Sequence, residues 1–393
     1  MFSWSRRLGF VVLIALALAA CGGGGDAEGP PALPAPVEPA PGTVGDGRLD
    51  ELIEWARASQ NAPALAVVVV RHGQVAERGA VGLRSADATV HVTLDDQWHL
   101  GSITKSMTST LAALLVEDGL ITWETRPIDV WPELANNIDQ GFANATLKQF
   151  LSHSSGLKRD DDWSGAADGA AGTNMQKRRA WAARLLAEAP EFDAGTYSYS
   201  NIGYMVAGAM LETRAQIPYE TLLTTRVFAP LGMTRSGFGA PGTRGLLDQP
   251  LGHYSRGNGF DPVPPGPGSD NFAAIAPAGL VHVTLNDFAA YLQAHLSGER
   301  GTPGLLTVAS FHTLHTEVVS SYALGWTVSP ELVQLGQPGL THAGTNLRWF
   351  ANTWFSPAAD AGLLVVCNGG GDRGNAAVAA LDLLMRRRIA SSP

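Results

Sequence analysis

Ala64-Leu-Ala-Val-Val-Val-Val70 is an unbroken apolar run ending in four valines, and it reads as a β-strand. A turn at His72-Gly73 follows, then a second strand-like stretch to Val81, so the two form a hairpin. Strand-like runs return near the other end of the chain, at 323–328, 349–355 and 363–366. Helical patterns lie between the two ends. In 102–117, Ile103, Met107, Leu111, Leu114 and Leu115 are spaced for one buried face. Further helices are expected at 147–151, 175–189, 202–215 and 285–296. Leu52, Ile53 and Trp55 open a short amphipathic helix near Asp50. A last helix has Asp372 as its N-cap, Val378, Leu381 and Met385 as its apolar stripe, and Arg386 to Arg388 at its C-terminal dipole. Strands at both ends with helices between them predict an α/β (α+β) fold. Its sheet is assembled from the two termini, and a mostly helical half is inserted.

The 393 residues are 45% hydrophobic and 16% charged, enough for one large domain or two packed halves. The formal net charge of −9 is spread along the chain without a basic block, which argues against a nucleic-acid partner. Lysine is scarce, occurring at positions 105, 148, 158 and 177. Arg6 and Arg7 precede an apolar stretch over 8–20, the length of a signal-peptide core and too short to span a bilayer. It ends Leu18-Ala19-Ala20-Cys21 before four glycines, and resembles the lipobox of bacterial lipoproteins. That resemblance implies a signal peptide over 1–20 and an acylated Cys21. A Gly/Pro-rich tether over 21–47 would then hold the protein to the cell envelope, facing the periplasm or the cell surface. Cys367 sits in the apolar run 362–367 and reads as a buried, inert thiol, so no disulfide framework is implied.

Several familiar chemistries are missing from the pattern. There is no Gly-x-Ser-x-Gly elbow, no His-Glu-x-x-His, no Walker loop and no Gly-x-Gly-x-x-Gly opening a helix. Asp160-Asp161-Asp162 lacks ligand spacing and reads as a solvated loop. His312 and His315 read as a helix surface, and no metal or cofactor is expected. What remains is Gly101-Ser102-Ile103-Thr104-Lys105. Three residues apart at a helix start, Ser102 and Lys105 share neighbouring faces of the first turn. A serine hydroxyl becomes a useful nucleophile once an adjacent base takes its proton, and a lysine serves when burial lowers its pKa.

Tyr199-Ser200-Asn201 and His342-Ala343-Gly344-Thr345 follow in order. Together with Ser-x-x-Lys they resemble the serine penicillin-recognising family. It includes class C β-lactamases, D-alanyl-D-alanine carboxypeptidases, D-aminopeptidases and related esterases. The stretches Leu151-Ser-His-Ser-Ser-Gly-Leu157, Pro230-Leu-Gly-Met233, Ala278-Gly-Leu280 and Tyr322-Ala-Leu-Gly-Trp326 read the same way. The resemblance implies one hydrolase domain over 48–388, with an antiparallel sheet half from 48–120 plus 275–388 and a helical half from 121–274. It implies an acyl-enzyme on Ser102, with Lys105 and Tyr199 moving protons and Asn201 steadying Lys105 and the substrate amide. The N–H groups of Ser102 and Thr345 would form the oxyanion hole, with Gly344 allowing close approach and His342 at the substrate. Ala343 departs from the family's usual hydroxyl residue, and Arg348 is a candidate replacement for its carboxylate contact. The implied substrate is a D-amino-acid peptide or amide, or a carboxylic ester, including fragments derived from peptidoglycan. A weak β-lactamase and an idle cell-wall-binding or sensor lipoprotein are the rival readings.

Overall fold

The computed structural model of the chain describes residues 37–160 and 172–393. The expected signal segment 1–20, Cys21, Asp161 and Asp162 lie outside the described residues. The central layer is a six-stranded antiparallel sheet. Its order is β2 (Gln74–Gly82), β1 (Ala64–Arg71), β11 (Ala361–Cys367), β10 (Phe350–Ser356), β9 (Gln337–Thr345) and β8 (Thr327–Leu332). The expected sheet from both termini is therefore present, and its seam is the ladder from Leu65 opposite Cys367 to Arg71 opposite Ala361.

The unbroken apolar run has a simple cause. Successive strand residues face opposite sides, and here both sides are covered. Ala64, Ala66, Val68 and Val70 point into one hydrophobic core, while Leu65, Val67 and Val69 point into a second. Each fully buried Val or Leu contributes about 1.5–3 kcal/mol. The second core is closed by α1 (Leu49–Ser59) and α11 (Gly371–Ala390), through Leu52, Ile53, Val378, Leu381 and Met385. The first is shared with α2 (Thr104–Glu117), α9 (Leu285–Glu299) and the helical half. That half carries α3 (Pro127–Val130), α4 (Leu147–Leu151), α5 (Asn174–Leu186), α6 (Asn201–Ala215) and α7 (Tyr219–Leu223). Capping boxes at Thr146/Gln149 and Thr173/Gln176 start α4 and α5. Buried Arg178 of α5 bridges Glu212 of α6 and Glu220 of α7 at 2.8 Å each, tying the three helices together.

Two smaller sheets have no clear sequence signal. One is β3 (Gln97–His99), β7 (Val281–Thr284) and β4 (Gly237–Phe238); the other pairs β5 (Gly252–Arg256) with β6 (Gly259–Val263). Two short helices, α8 (Ala276–Gly279) and α10 (Val308–His315), flank α9 in the chain.

Three local expectations are corrected. The strand expected over 323–328 begins at Thr327. Before it, Gly325 takes a φ of +81° so that the loop can lie on α2, where a Cβ would stand 2.6 Å from the Cα of Ser106. The last helix is capped by Gly370 without a side-chain bond, and Asp372 sits inside its first turn. His312 is exposed, but His315 is buried, with its ring nitrogens 2.8 Å from His295 and 2.5 Å from Glu299. Residues at the end of the expected tether dock on α11, where Arg388 donates to the Pro41 carbonyl at 2.7 Å and pairs with Asp46 and Glu77. Among the described residues, no helix is long and apolar enough to cross a membrane.

Candidate active site

Strand β3 delivers the chain into a 3₁₀ turn, Gly101–Ile103, that carries Ser102 and runs straight into α2. Ser102 is thus inside the turn and not a plain N-cap. Gly101 has a φ of +52°, and a Cβ on it would lie 2.3 Å from the Thr345 amide nitrogen. Gly344 is crowded from the other side: its Cβ would lie 2.0 Å from the Leu100 carbonyl oxygen and 2.6 Å from the Ser102 nitrogen. The end of β9 therefore packs backbone to backbone on the Ser102 turn, an approach only glycine permits. His99 fastens this turn. Its Nδ1 accepts from the Gly101 N–H at 3.1 Å, and its Nε2 is 2.8 Å from Asp270. Burial alone would raise the Asp270 pKa, but His99 and the Asn346 amide hold it below the usual carboxylate range.

Lys105 is the second residue of α2 and is fully buried. Its Nζ is 3.0 Å from Ser102 Oγ, 2.7 Å from Asn201 Oδ1 and 2.8 Å from the Ala278 carbonyl oxygen. Burial pushes its pKa well below the ordinary lysine value, against the pull of Asp160. As a neutral amine it has two N–H groups for the two obligate acceptors, Asn201 Oδ1 and Ala278 O. Its lone pair is left for the Ser102 hydroxyl. As an ammonium it donates to all three, so a proton can be taken up without any heavy atom moving.

Tyr199 caps this group, with Lys105 Nζ 4.8 Å from the centre of its ring. Burial raises its phenol pKa well above the ordinary value, although a hydrogen bond with Ser102 opposes this, so the hydroxyl stays protonated. Beneath it lies His153, its ring centre 4.3 Å away and its Nδ1 accepting from the Ser200 N–H at 3.0 Å. Asn201 opens α6 behind the N-cap Ser200.

Ser102, Tyr199, Asn201, His342, Gly344 and Thr345 line one cleft of about 680 Å³. A side lobe of about 290 Å³ reaches Asp270 and Gly279. All the candidate residues of the three motifs are thus brought together, with Lys105 directly behind the cleft. Arg348 is not. Its guanidinium donates to the Asn346 and Gly268 carbonyls and stacks 4.9 Å from the centre of the Tyr254 ring. Cys21 lies outside the described residues, and Cys367 is a buried free thiol whose pKa is pushed up to about 12 by burial.

Sequence reasoning missed His99, His153, Arg159, Asp160 and Tyr322. Arg159, Asp160 and Tyr322 line the cleft. Asp160 keeps a partly exposed side chain, as a solvated loop would, but its Oδ1 also accepts from Asn201 Nδ2 at 2.6 Å. The stretches around His153 and Tyr322 did carry a signal as parts of the resemblance, but nothing in them indicated a role.

The chain is 27% identical to penicillin-binding protein 4 of Amycolatopsis lactamdurans over 330 residues, covering 81% of this chain and 84% of that protein. It is 25% identical to an unguisins hydrolase of Aspergillus campestris over 297 residues, 70% of this chain and 53% of that protein, so it spans about half of that relative's length. Among solved structures, a class C β-lactamase from Rhodobacter sphaeroides superposes with a TM-score of 0.68 at 22% identity, covering 86% of this chain and 99% of that one. A D-alanine carboxypeptidase from Burkholderia cenocepacia gives 0.67 at 21%, covering 86% and 98%. These two likenesses establish the fold. The family model described as Beta-lactamase matches residues 49–385. With that match over most of its length, the chain belongs to the Beta-lactamase family.

Proposed function

We propose that the protein is a serine hydrolase that works through an acyl-enzyme on Ser102, taking a D-amino-acid peptide or amide, or a carboxylic ester. The observation that carries this reading is the 3.0 Å approach of a buried, pKa-depressed Lys105 amine to Ser102 Oγ. In the proposed reaction Ser102 Oγ attacks the substrate carbonyl carbon as its proton passes to the Lys105 lone pair. The carbonyl oxygen becomes an oxyanion between the N–H groups of Ser102 and Thr345, which the close packing at Gly101 and Gly344 supports. When the carbon–leaving-group bond breaks, the leaving group takes a proton from Lys105, relayed by the neutral Tyr199 phenol. Water then attacks the acyl carbon and gives a proton to the same amine, and as the carbon–Oγ bond breaks that proton passes from Lys105 to Ser102 Oγ, releasing the acid and restoring the hydroxyl.

A fluorophosphonate probe tests the reading directly. Peptide mapping of the labelled protein is expected to place the adduct on Ser102, and Ser102→Ala is expected to abolish both labelling and ester turnover. An idle binding protein would take no label.

A further inference from the structure

We propose that Asp160 is a positioning residue of this site: its carboxylate, which can only accept hydrogen bonds, turns the Asn201 amide so that Oδ1 faces Lys105. The proposal rests on the reading of Ser102 as nucleophile and Lys105 as its base. An asparagine amide presents an oxygen on one side and two N–H donors on the other, and the two orientations have nearly the same shape. The neighbours decide between them. At Asn201, Nδ2 is 2.6 Å from Asp160 Oδ1 and Oδ1 is 2.7 Å from Lys105 Nζ. Flipping the amide would set oxygen against carboxylate. It would also set an N–H₂ group against Lys105, where it would compete with the Ser102 hydroxyl for the amine lone pair. The base would then be engaged by the wrong donor.

Asp160 is held in place to do this. Asn201 N–H donates to the Arg159 carbonyl at 2.9 Å, and Ser200 Oγ donates to the Lys158 carbonyl at 2.7 Å, so residues 158–160 are fastened to the start of α6. The other carboxylate oxygen is 3.4 Å from the exposed Arg159 side chain, a weak pair that leaves Asp160 free to serve Asn201. The groups around Lys105 are few. Asp160 and Arg159 come from this loop, Tyr199 and Tyr204 present ring faces at 4.8 and 5.5 Å, and His153 and His342 are kept neutral by burial. Asp160 is the group that favours the ammonium form, so its loss moves Lys105 further toward the neutral amine.

The test compares wild type, Asp160→Asn, Asp160→Glu, Asn201→Ala and the Asp160→Asn/Asn201→Ala pair, each checked for an unchanged thermal transition. The readout is the second-order rate of Ser102 labelling by a fluorophosphonate from pH 4 to 10. In Asp160→Asn the plateau rate is expected to fall by about ten- to a hundredfold, and the acid limb to move down by about one pH unit. Asp160→Glu should restore most of the rate. With no amide left to orient, adding Asp160→Asn to Asn201→Ala should cost less than about threefold more. An unmoved acid limb, or losses that multiply in the double variant, overturns the proposal. Wild-type protein that takes no label on Ser102 instead overturns the nucleophile reading beneath it.

Discussion

The hydroxyl of Tyr322 donates to Nε2 of His342 across 3.0 Å. The direction follows from the other ring nitrogen. Nδ1 lies 2.7 Å from the Ala343 carbonyl oxygen, which can only accept, so Nδ1 carries the proton and Nε2 is the acceptor. Burial, reinforced by the nearby Lys105, pushes the His342 pKa down to about 3. His342 is therefore an uncharged ring with both nitrogens engaged, and it is not a cationic clamp at the substrate.

That arrangement bears on β-lactams, whose carboxylate must be held while the ring carbonyl is attacked. The β9 wall offers neutral His342, Ala343 without a hydroxyl, and no Arg348, while the exposed Arg159, only weakly paired with Asp160, lines the cleft from the loop after α4 and not from this wall. One missing charge-assisted hydrogen bond costs about 1.5–3 kcal/mol, roughly ten- to a hundredfold in rate. Short p-nitrophenyl esters need no such clamp. We expect kcat/KM for nitrocefin to fall at least about a hundredfold below that for p-nitrophenyl butyrate, and Ala343→Thr to raise it about tenfold. Efficient nitrocefin turnover by the wild type, unimproved by threonine, would show that another group holds the carboxylate.

Gly344 makes a sharper claim. A methyl group there would sit 2.0 Å from the Leu100 oxygen and 2.6 Å from the Ser102 nitrogen, so β9 or the nucleophile turn must move. Losing the alignment of one oxyanion donor typically costs about 10²–10³ in kcat. Gly344→Ala should therefore lose at least about a hundredfold in kcat for an ester while its circular dichroism spectrum is kept. Near-normal turnover in that variant would mean that the backbone contact at Ser102 plays no part in the reaction.

The sequence showed the fold wherever burial was periodic or continuous. The valine run, the 147–151 helix and the stripe of Val378, Leu381 and Met385 each announce the core they enter. The motif residues were legible because Ser102 and Lys105 share one helical turn, and because Tyr199-x-Asn201 and His342-x-Gly344 keep their chemistry within three residues. Asp160, His153 and Tyr322 were hidden because they act through partners far away in the chain. Asp160 meets Asn201 across 41 residues and Tyr322 meets His342 across 20. Beside two further aspartates, Asp160 also looked like any solvated turn. The strands β3 and β4 have three and two residues, too short for any period to show.

The N-terminus yields a prediction that rests on sequence alone. Cys21 follows Leu18-Ala19-Ala20 directly after the apolar stretch, so the mature chain is expected to begin at an acylated Cys21. Mass spectrometry of the membrane fraction should find a lipid-modified N-terminal peptide, and Cys21→Ala should release the protein or leave its precursor uncleaved. A soluble native protein with a free N-terminus elsewhere would refute it.

The buried histidines make the fold acid-labile, and the sign can be worked out for His342. Its pKa is about 3 in the folded protein and about 6.5 when unfolded, so between those values the unfolded chain binds the extra proton. The stability contributed by the neutral ring is complete above pH 6.5 and is lost as the pH falls toward 3, by about 1.4 kcal/mol per unit. At pH 5 this residue alone accounts for about 2 kcal/mol. Burial displaces His153, His253, His295 and His315 in the same direction. Asp382 and Glu212, raised by burial, work against them. The histidines outnumber the raised carboxylates, so the thermal midpoint is expected to drop by at least about 5 °C between pH 7.5 and 5.0. His342→Gln, which cannot ionise, should recover part of that drop although its midpoint at pH 7.5 is lower. A midpoint that holds level or rises on acidification would mean that these rings are not kept neutral by the fold.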